Sequence, residues 1–127
     1  METALRAELI RSVPELENSV YPTNAPEEST KPYLVYARIS TDLGKTMEGY
    51  NEGGSYDYMF SCIAKRYRDM KSLTDKVTDF LKSLPKHYIA EEEETAFVED
   101  IVINNISFTW EPELKVNRGI IDFTIYV

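Results

Sequence analysis

Three prolines between residues 21 and 32 restrict this chain more than any other local feature. Pro22, Pro26 and Pro32 fix φ and remove backbone donors, so this segment is not expected to form a helix or a central strand. The residues that follow, Tyr33–Ser40, alternate as a β-strand does. One face would carry Tyr33, Val35, Ala37 and Ile39, and the other Leu34, Tyr36, Arg38 and Ser40. The chain should therefore enter its first strand from a stiff, extended segment.

Three later segments also alternate with the period of a strand. Residues 55–67 would place Tyr56, Tyr58, Phe60, Cys62 and Ala64 on the better core face. Asp100–Trp110 sets Val102, Ile106, Phe108 and Trp110 against Ile101, Ile103 and Thr109, and its Asn104-Asn105 pair predicts a bulge or bend. Residues 120–127 would turn Ile121, Phe123, Ile125 and Val127 to the core.

Helical periodicity occurs twice. Residues 3–13 form a short amphipathic pattern through Leu5, Leu9 and Val13, with Ile10 beside them. The stronger signal spans residues 69–84 and is ended by Pro85. Its apolar positions are Met70, Leu73, Val77, Phe80, Leu81 and Leu84.

These elements predict an α+β fold. An antiparallel sheet in ββαββ order would carry an N-terminal helix and one long amphipathic helix packed on it. The length of 127 residues suits a single domain covering residues 1–127.

The segment 41–55 is predicted to be a long flexible connection because it holds four of the five glycines. Connections of this length are either functional or simply solvated, and both interpretations stay open. Tyrosines near the first hairpin fit an interface, because tyrosine buries area and keeps a polar group, although strand preference explains them equally well. The predicted interface residues are Leu43, Lys45, Met47, Tyr50 and Tyr56.

Composition argues against several kinds of chemistry. A net charge of -8 disfavours binding to the phosphate backbone of nucleic acid. The single histidine, His87, has no nucleophile motif beside it, and Glu91–Glu94 lacks the spacing of a calcium loop. Cys62 reads as a buried hydrophobe in a reducing compartment. We therefore expect no enzyme activity, no catalytic residue, no cofactor and no metal. The absence of a signal-like or membrane-spanning run predicts a cytoplasmic protein.

The order of these segments resembles the tail-completion, or tail-to-head joining, proteins of long-tailed bacteriophages, which are similar to tail terminator proteins. Five features carry the resemblance across nearly the whole chain. They are the N-terminal helix with Leu5, Leu9 and Ile10, the segment Val20-Tyr21-Pro22…Ala25-Pro26, the stretch Pro32–Ser40, the strand-into-helix run from Tyr58 to Leu84, and the final Arg118…Asp122-Phe123-Thr124-Ile125 strand. The longer 41–55 segment and the acidic 90–100 segment depart from the family.

The resemblance implies a structural virion protein without catalytic residues. Such a protein is monomeric when free and forms a homo-oligomeric ring at the head-proximal end of the tail. There it contacts the head connector and the tail tube protein, and genomic DNA passes through the lumen without specific binding. It would be found in the virion tail, and in the host cytoplasm before assembly, with no membrane partner.

A small cytosolic α+β binding module or enzyme subunit is the alternative, because this layout hosts many functions. A deep apolar pocket holding His87 beside an acid would favour it.

Overall fold

A computed structural model describes residues 2–16, 19–22, 32–46, 49–91, 94–113 and 115–127. Two α-helices and seven strands make up most of these residues. In chain order they are α1 (Glu2–Ser12), a 3-10 turn (Pro14–Leu16), β1 (Val20–Pro22), β2 (Tyr33–Thr46), β3 (Gly49–Ala64), α2 (Tyr67–Ser83), β4 (His87–Glu91), β5 (Glu94–Val98), β6 (Asp100–Glu111) and β7 (Val116–Tyr126).

The main sheet has five strands in the order β1-β2-β3-β7-β6. β1 runs parallel to β2, and all the other neighbours are antiparallel. β4 and β5 form a separate hairpin. The predicted α+β class is confirmed. The predicted ββαββ order leaves out three strands, which are β1, β4 and β5. Pro22 ends β1 at the edge of the sheet, where the missing donor of a proline costs least.

The core lies between one face of the sheet and the two helices. Its centre is an aromatic group in which the Phe123 ring stacks on Tyr58 at 5.8 Å and meets Phe60 edge-on at 4.8 Å. Leu5 and Leu9 of α1 are buried in the same cluster. The predicted core face of β3 is confirmed, since Tyr58, Phe60, Cys62 and Ala64 are buried and Tyr56 packs against the cluster. In β7, Ile121, Phe123 and Ile125 are buried, also as predicted.

Helix α2 crosses the sheet very close to β7. Two buried threonines allow this approach because each hydroxyl donates to the carbonyl one turn earlier, Thr74 to Met70 at 2.9 Å and Thr78 to Thr74 at 2.8 Å. Opposite them, β7 carries Gly119. A Cβ at Gly119 would lie 2.3 Å from Thr74 Oγ1 and 3.0 Å from Met70 Sδ. The glycine is therefore required by helix–sheet spacing.

We expect Gly119→Ala to lower the free energy of unfolding by about 1–3 kcal/mol through overpacking. Thr74→Ala in the same chain should recover part of this loss because it removes the nearest clashing atom. Urea unfolding of the two single variants and the double variant gives the coupling energy. If the loss of unfolding free energy in the double variant equals the sum of the losses in the two single variants, α2 does not approach Gly119 this closely.

The prediction that residues 41–55 form a long flexible connection is wrong, because residues 41–46 belong to β2 and residues 49–55 belong to β3. β2 and β3 pair through this segment, with Leu43 opposite Gly54, Lys45 opposite Tyr50, and Thr46 opposite Gly49. Val127 also exchanges both backbone hydrogen bonds with Gly54, at 3.0 and 3.2 Å. Glycine weakens a strand, but pairing between β2 and β3, with Val127 as a second partner at Gly54, supplies backbone bonds that hold this segment in the ladder.

The bulge predicted in β6 is confirmed and changes which side chains share a face. The register shifts between Ile103 and Asn105, so Asn104 is the extra residue. Its amide donates to Thr124 Oγ1 at 3.1 Å. Because the bulge absorbs one residue, Ile106, Phe108 and Trp110 join Ile101 and Ile103 on the core side, whereas Val102 and Thr109 lie on the other face. The predicted grouping of Val102 with Ile106 is therefore wrong.

The acidic run belongs to the β4–β5 hairpin, which the sequence pattern did not indicate. Glu91 pairs with Glu94, and the two glutamates between them lie outside the described residues. Lys86 enters this hairpin at a positive φ of 68°. Ile89 and Val98 are buried, and α1 packs on the hairpin.

Candidate assembly surface

A row of large apolar side chains is exposed along edge strand β6. Ile106, Phe108 and Trp110 have 37%, 43% and 51% of their surface exposed. All three are on the face of the sheet that carries the core. We call this set the β6 row. Apolar groups of this size grouped on one strand are typical of surfaces that bind another protein.

The β6 row is exposed because helix α2 lies over β7 and does not cover edge strand β6. Phe108 pairs with Gly119, and it is over Gly119 that Thr74 and Met70 of α2 lie. The helix thus covers β7 and β3, and the edge strand extends beyond it. At the other end of the same strand, Ile101 and Ile103 pack against the core. The exposed and covered parts of β6 are separated by the bulge at Asn104.

The helix contributes a polar border to the β6 row. The Lys71 ammonium lies over the Phe108 ring, 5.3 Å from its centroid, and also donates to Asp75 Oδ1 at 2.8 Å. The hydrogen bond to Asp75 raises the pKa of Lys71, so its positive charge is maintained. On β6 itself, Glu111 forms an ion pair with Arg118 of β7. A hydrophobic centre with charged groups at its rim is the usual composition of a protein interface.

The backbone of β6 offers a second kind of contact. β6 is the last strand in the sheet order, and in the described ranges no strand pairs with its outer side. At the opposite side of the sheet, β1 pairs only with Leu34, Val35 and Tyr36 of β2. Past Tyr36, the outer side of β2 has no partner strand among the described residues. There Ile39 is 61% exposed, at a register shift between Arg38 and Ser40.

The predicted interface residues belong to the β2–β3 hairpin. Leu43 and Lys45 are in β2, and Tyr50 and Tyr56 are in β3. Met47 lies outside the described residues, and Tyr56 is half-buried against the core rather than displayed to solvent. Sequence reasoning missed the β6 row. The sequence pattern placed Ile106, Phe108 and Trp110 on one face, but it did not indicate that they are exposed, because their exposure depends on where α2 crosses the sheet.

The features considered for catalysis are dispersed. His87 is exposed, its Nδ1 lies 3.0 Å from the Pro85 carbonyl oxygen, and the described residues around it do not form a deep pocket. Among the described residues, no three His, Cys, Asp or Glu side chains gather as a metal site. None of the helices in those residues is long and apolar enough to cross a membrane.

Cys62 is fully buried, and burial raises the pKa of its thiol to about 12 from 9.0. We expect iodoacetamide to leave the native protein unlabelled even at pH 9, because both burial and the missing thiolate prevent reaction. Unfolding in urea should allow complete labelling. Rapid labelling of the folded protein would contradict this placement.

The raised pKa of Cys62 also predicts how the free energy of unfolding depends on pH. The contribution of the protonated thiol is fully present below pH 9 and is lost as the pH rises from 9 towards 12.

Comparison with solved structures found chains of similar fold. The fold is similar to a chain in a solved structure described as the virion of a native gene transfer agent particle. The TM-score is 0.63 at 17% identity, and the match covers 99% of this chain and 90% of the other. At this identity the likeness shows a shared fold. Neither protein-family models nor curated proteins gave a match.

Proposed function

We propose that this protein is a structural component of a long-tailed phage or phage-like particle that completes the tail and joins it to the head. The supporting observation is the fold shared over nearly the whole length of both chains with a component of a gene transfer agent virion. The order of segments in the sequence, which resembles tail-completion proteins, points to the same role independently. The protein would act as one domain, without catalysis or a cofactor.

In this proposal the subunits form a ring at the head-proximal end of the tail, between the head connector and the tail tube. The ring surrounds the path of the DNA. With 22 acidic residues against 14 basic ones, each subunit repels phosphate. A conduit of this charge lets DNA pass without holding it. The subunit would be made in the host cytoplasm and retained in the virion.

Electron microscopy of lysates from the producing strain, with this gene deleted, tests the role. Full heads and separate tails should accumulate, and a plasmid copy of the gene should restore joined particles. A strain carrying an early stop codon in the plasmid copy is the control. Intact, infectious particles without the protein would contradict the proposal.

A further inference from the structure

Among the described residues, the main sheet has two edges without a partner strand, and these edges differ from each other. One is the outer side of β6, and the other is the outer side of β2 beyond Tyr36. Open strand edges pair readily with another chain. Both edges here also expose apolar side chains, Trp110 on β6 and Ile39 on β2. A contact between two different edges of identical subunits is heterologous, and such contacts generate a closed ring where the rotation between copies closes and an open filament where it does not.

The strand directions allow the two edges to pair. Because β2, β3, β7 and β6 are successively antiparallel, β6 runs opposite to β2. Copies related by rotation about an axis along the strands keep their strand directions. The β2 strand of the next copy would therefore run antiparallel to β6 and continue the alternation of the sheet.

Charge favours this arrangement over pairing of β6 with itself. Residues 105–111 of β6 contain Glu111 and no basic residue, which gives them a charge of -1. Residues 37–46 of β2 contain Arg38 and Lys45 against Asp42, which gives +1. Pairing of β6 with β2 therefore joins edges of opposite charge, whereas pairing of β6 with itself joins two edges of the same charge. Opposite charges across a strand pair stabilise it, and like charges destabilise it.

We propose that a second copy of this chain binds the β6 edge. The outer edge of its β2 strand pairs with β6 and extends the sheet, and the β6 row packs against this second copy. This inference rests on the proposed ring and identifies its seam. The bulge at Asn104 sets the start of the seam, since β6 pairs regularly with β7 from Asn105 to Glu111. The bulge at Ile39 fixes the register on the other edge.

Three charge variants test the seam. Trp110→Glu changes β6, Ile39→Glu changes β2, and Tyr88→Glu is the matched control because Tyr88 is 73% exposed on β4, outside the main sheet. All three sites are exposed, so each variant should stay folded, and its thermal midpoint should lie within about 5 °C of the wild type. Each purified variant is added to tails from the deletion strain, and rings are counted by electron microscopy.

We expect wild type and Tyr88→Glu to form rings and both edge variants to form none. Hydrogen exchange should also slow in residues 105–111 and 37–46 on ring formation, and stay unchanged in β4. If Trp110→Glu alone fails, the β6 edge pairs with something other than β2 and the proposal is wrong. If both edge variants form normal rings, the seam is elsewhere, although the ring itself stands. If wild type forms no ring on these tails, the proposed function fails first.

Discussion

Phe123→Ala should lower the free energy of unfolding by about 3–5 kcal/mol, the range for removing a fully buried phenylalanine. The ring is in contact with Tyr58 and Phe60, and only 1% of the residue is exposed. It also lies on β7, between β3 and β6, so the cavity would open in the middle of the sheet. Domains of this size have about 5–15 kcal/mol of stability, and such a loss takes a large part of it.

Phe108→Ala provides a matched control, since the same atoms are removed from the half-exposed edge strand. We expect it to cost about 1 kcal/mol or less, because little buried area and one cation–π contact are lost. Urea unfolding monitored by circular dichroism measures both variants. Equal costs at the two positions would contradict the assignment of Phe123 to the core and Phe108 to the surface.

Shortening the β2–β3 hairpin should abolish head-to-tail joining while the domain stays folded. Replacing residues 43–54 with Asn-Gly would connect Asp42 directly to Ser55, which already face each other in the ladder. Asn-Gly suits a two-residue hairpin turn. The variant loses the two backbone bonds between Gly54 and Val127, a cost of about 1–3 kcal/mol. It also removes Leu43, Lys45, Met47 and Tyr50, the four outermost predicted interface residues.

The matched control changes the two residues that connect β4 to β5 in the sequence. Glu92→Asn with Glu93→Gly places the same dipeptide between Glu91 and Glu94, which pair at the end of β4 and β5. Titre of infectious particles and the thermal midpoint are measured for both variants. The expected result is a titre at the level of the gene deletion for the shortened hairpin and a normal titre for the control. A normal titre for both would remove the hairpin from the joining surface.

The strands and helices were largely predictable because their periodicity reports which side is buried. The alternation of Tyr58, Phe60 and Cys62 and the spacing of Met70, Leu73 and Val77 correspond to one shared core. The hairpin over residues 41–55 was not predictable from local composition. Its glycines read as a loop, whereas the ladder depends on long-range partners, among them Val127.

The candidate surface was harder to predict than the fold. The position of the bulge decides whether Ile106 shares a face with Val102 or with Ile103. That position, at Asn104, is known only from the pairing of β6 with β7. The exposure of Phe108 and Trp110 depends further on where α2 crosses the sheet. That position is set by the contact of Thr74 with Gly119, two residues separated by a long stretch of chain.

Reconstitution of particles tests the central proposal most directly. Heads and tails from the deletion strain are mixed with the purified protein, and joined particles are counted by electron microscopy and by titre. The account predicts that joining requires the protein and that joined particles show ring density at the head-proximal end of the tail. Heads and tails that stay separate after the protein is added, or that join equally well without it, would contradict the account.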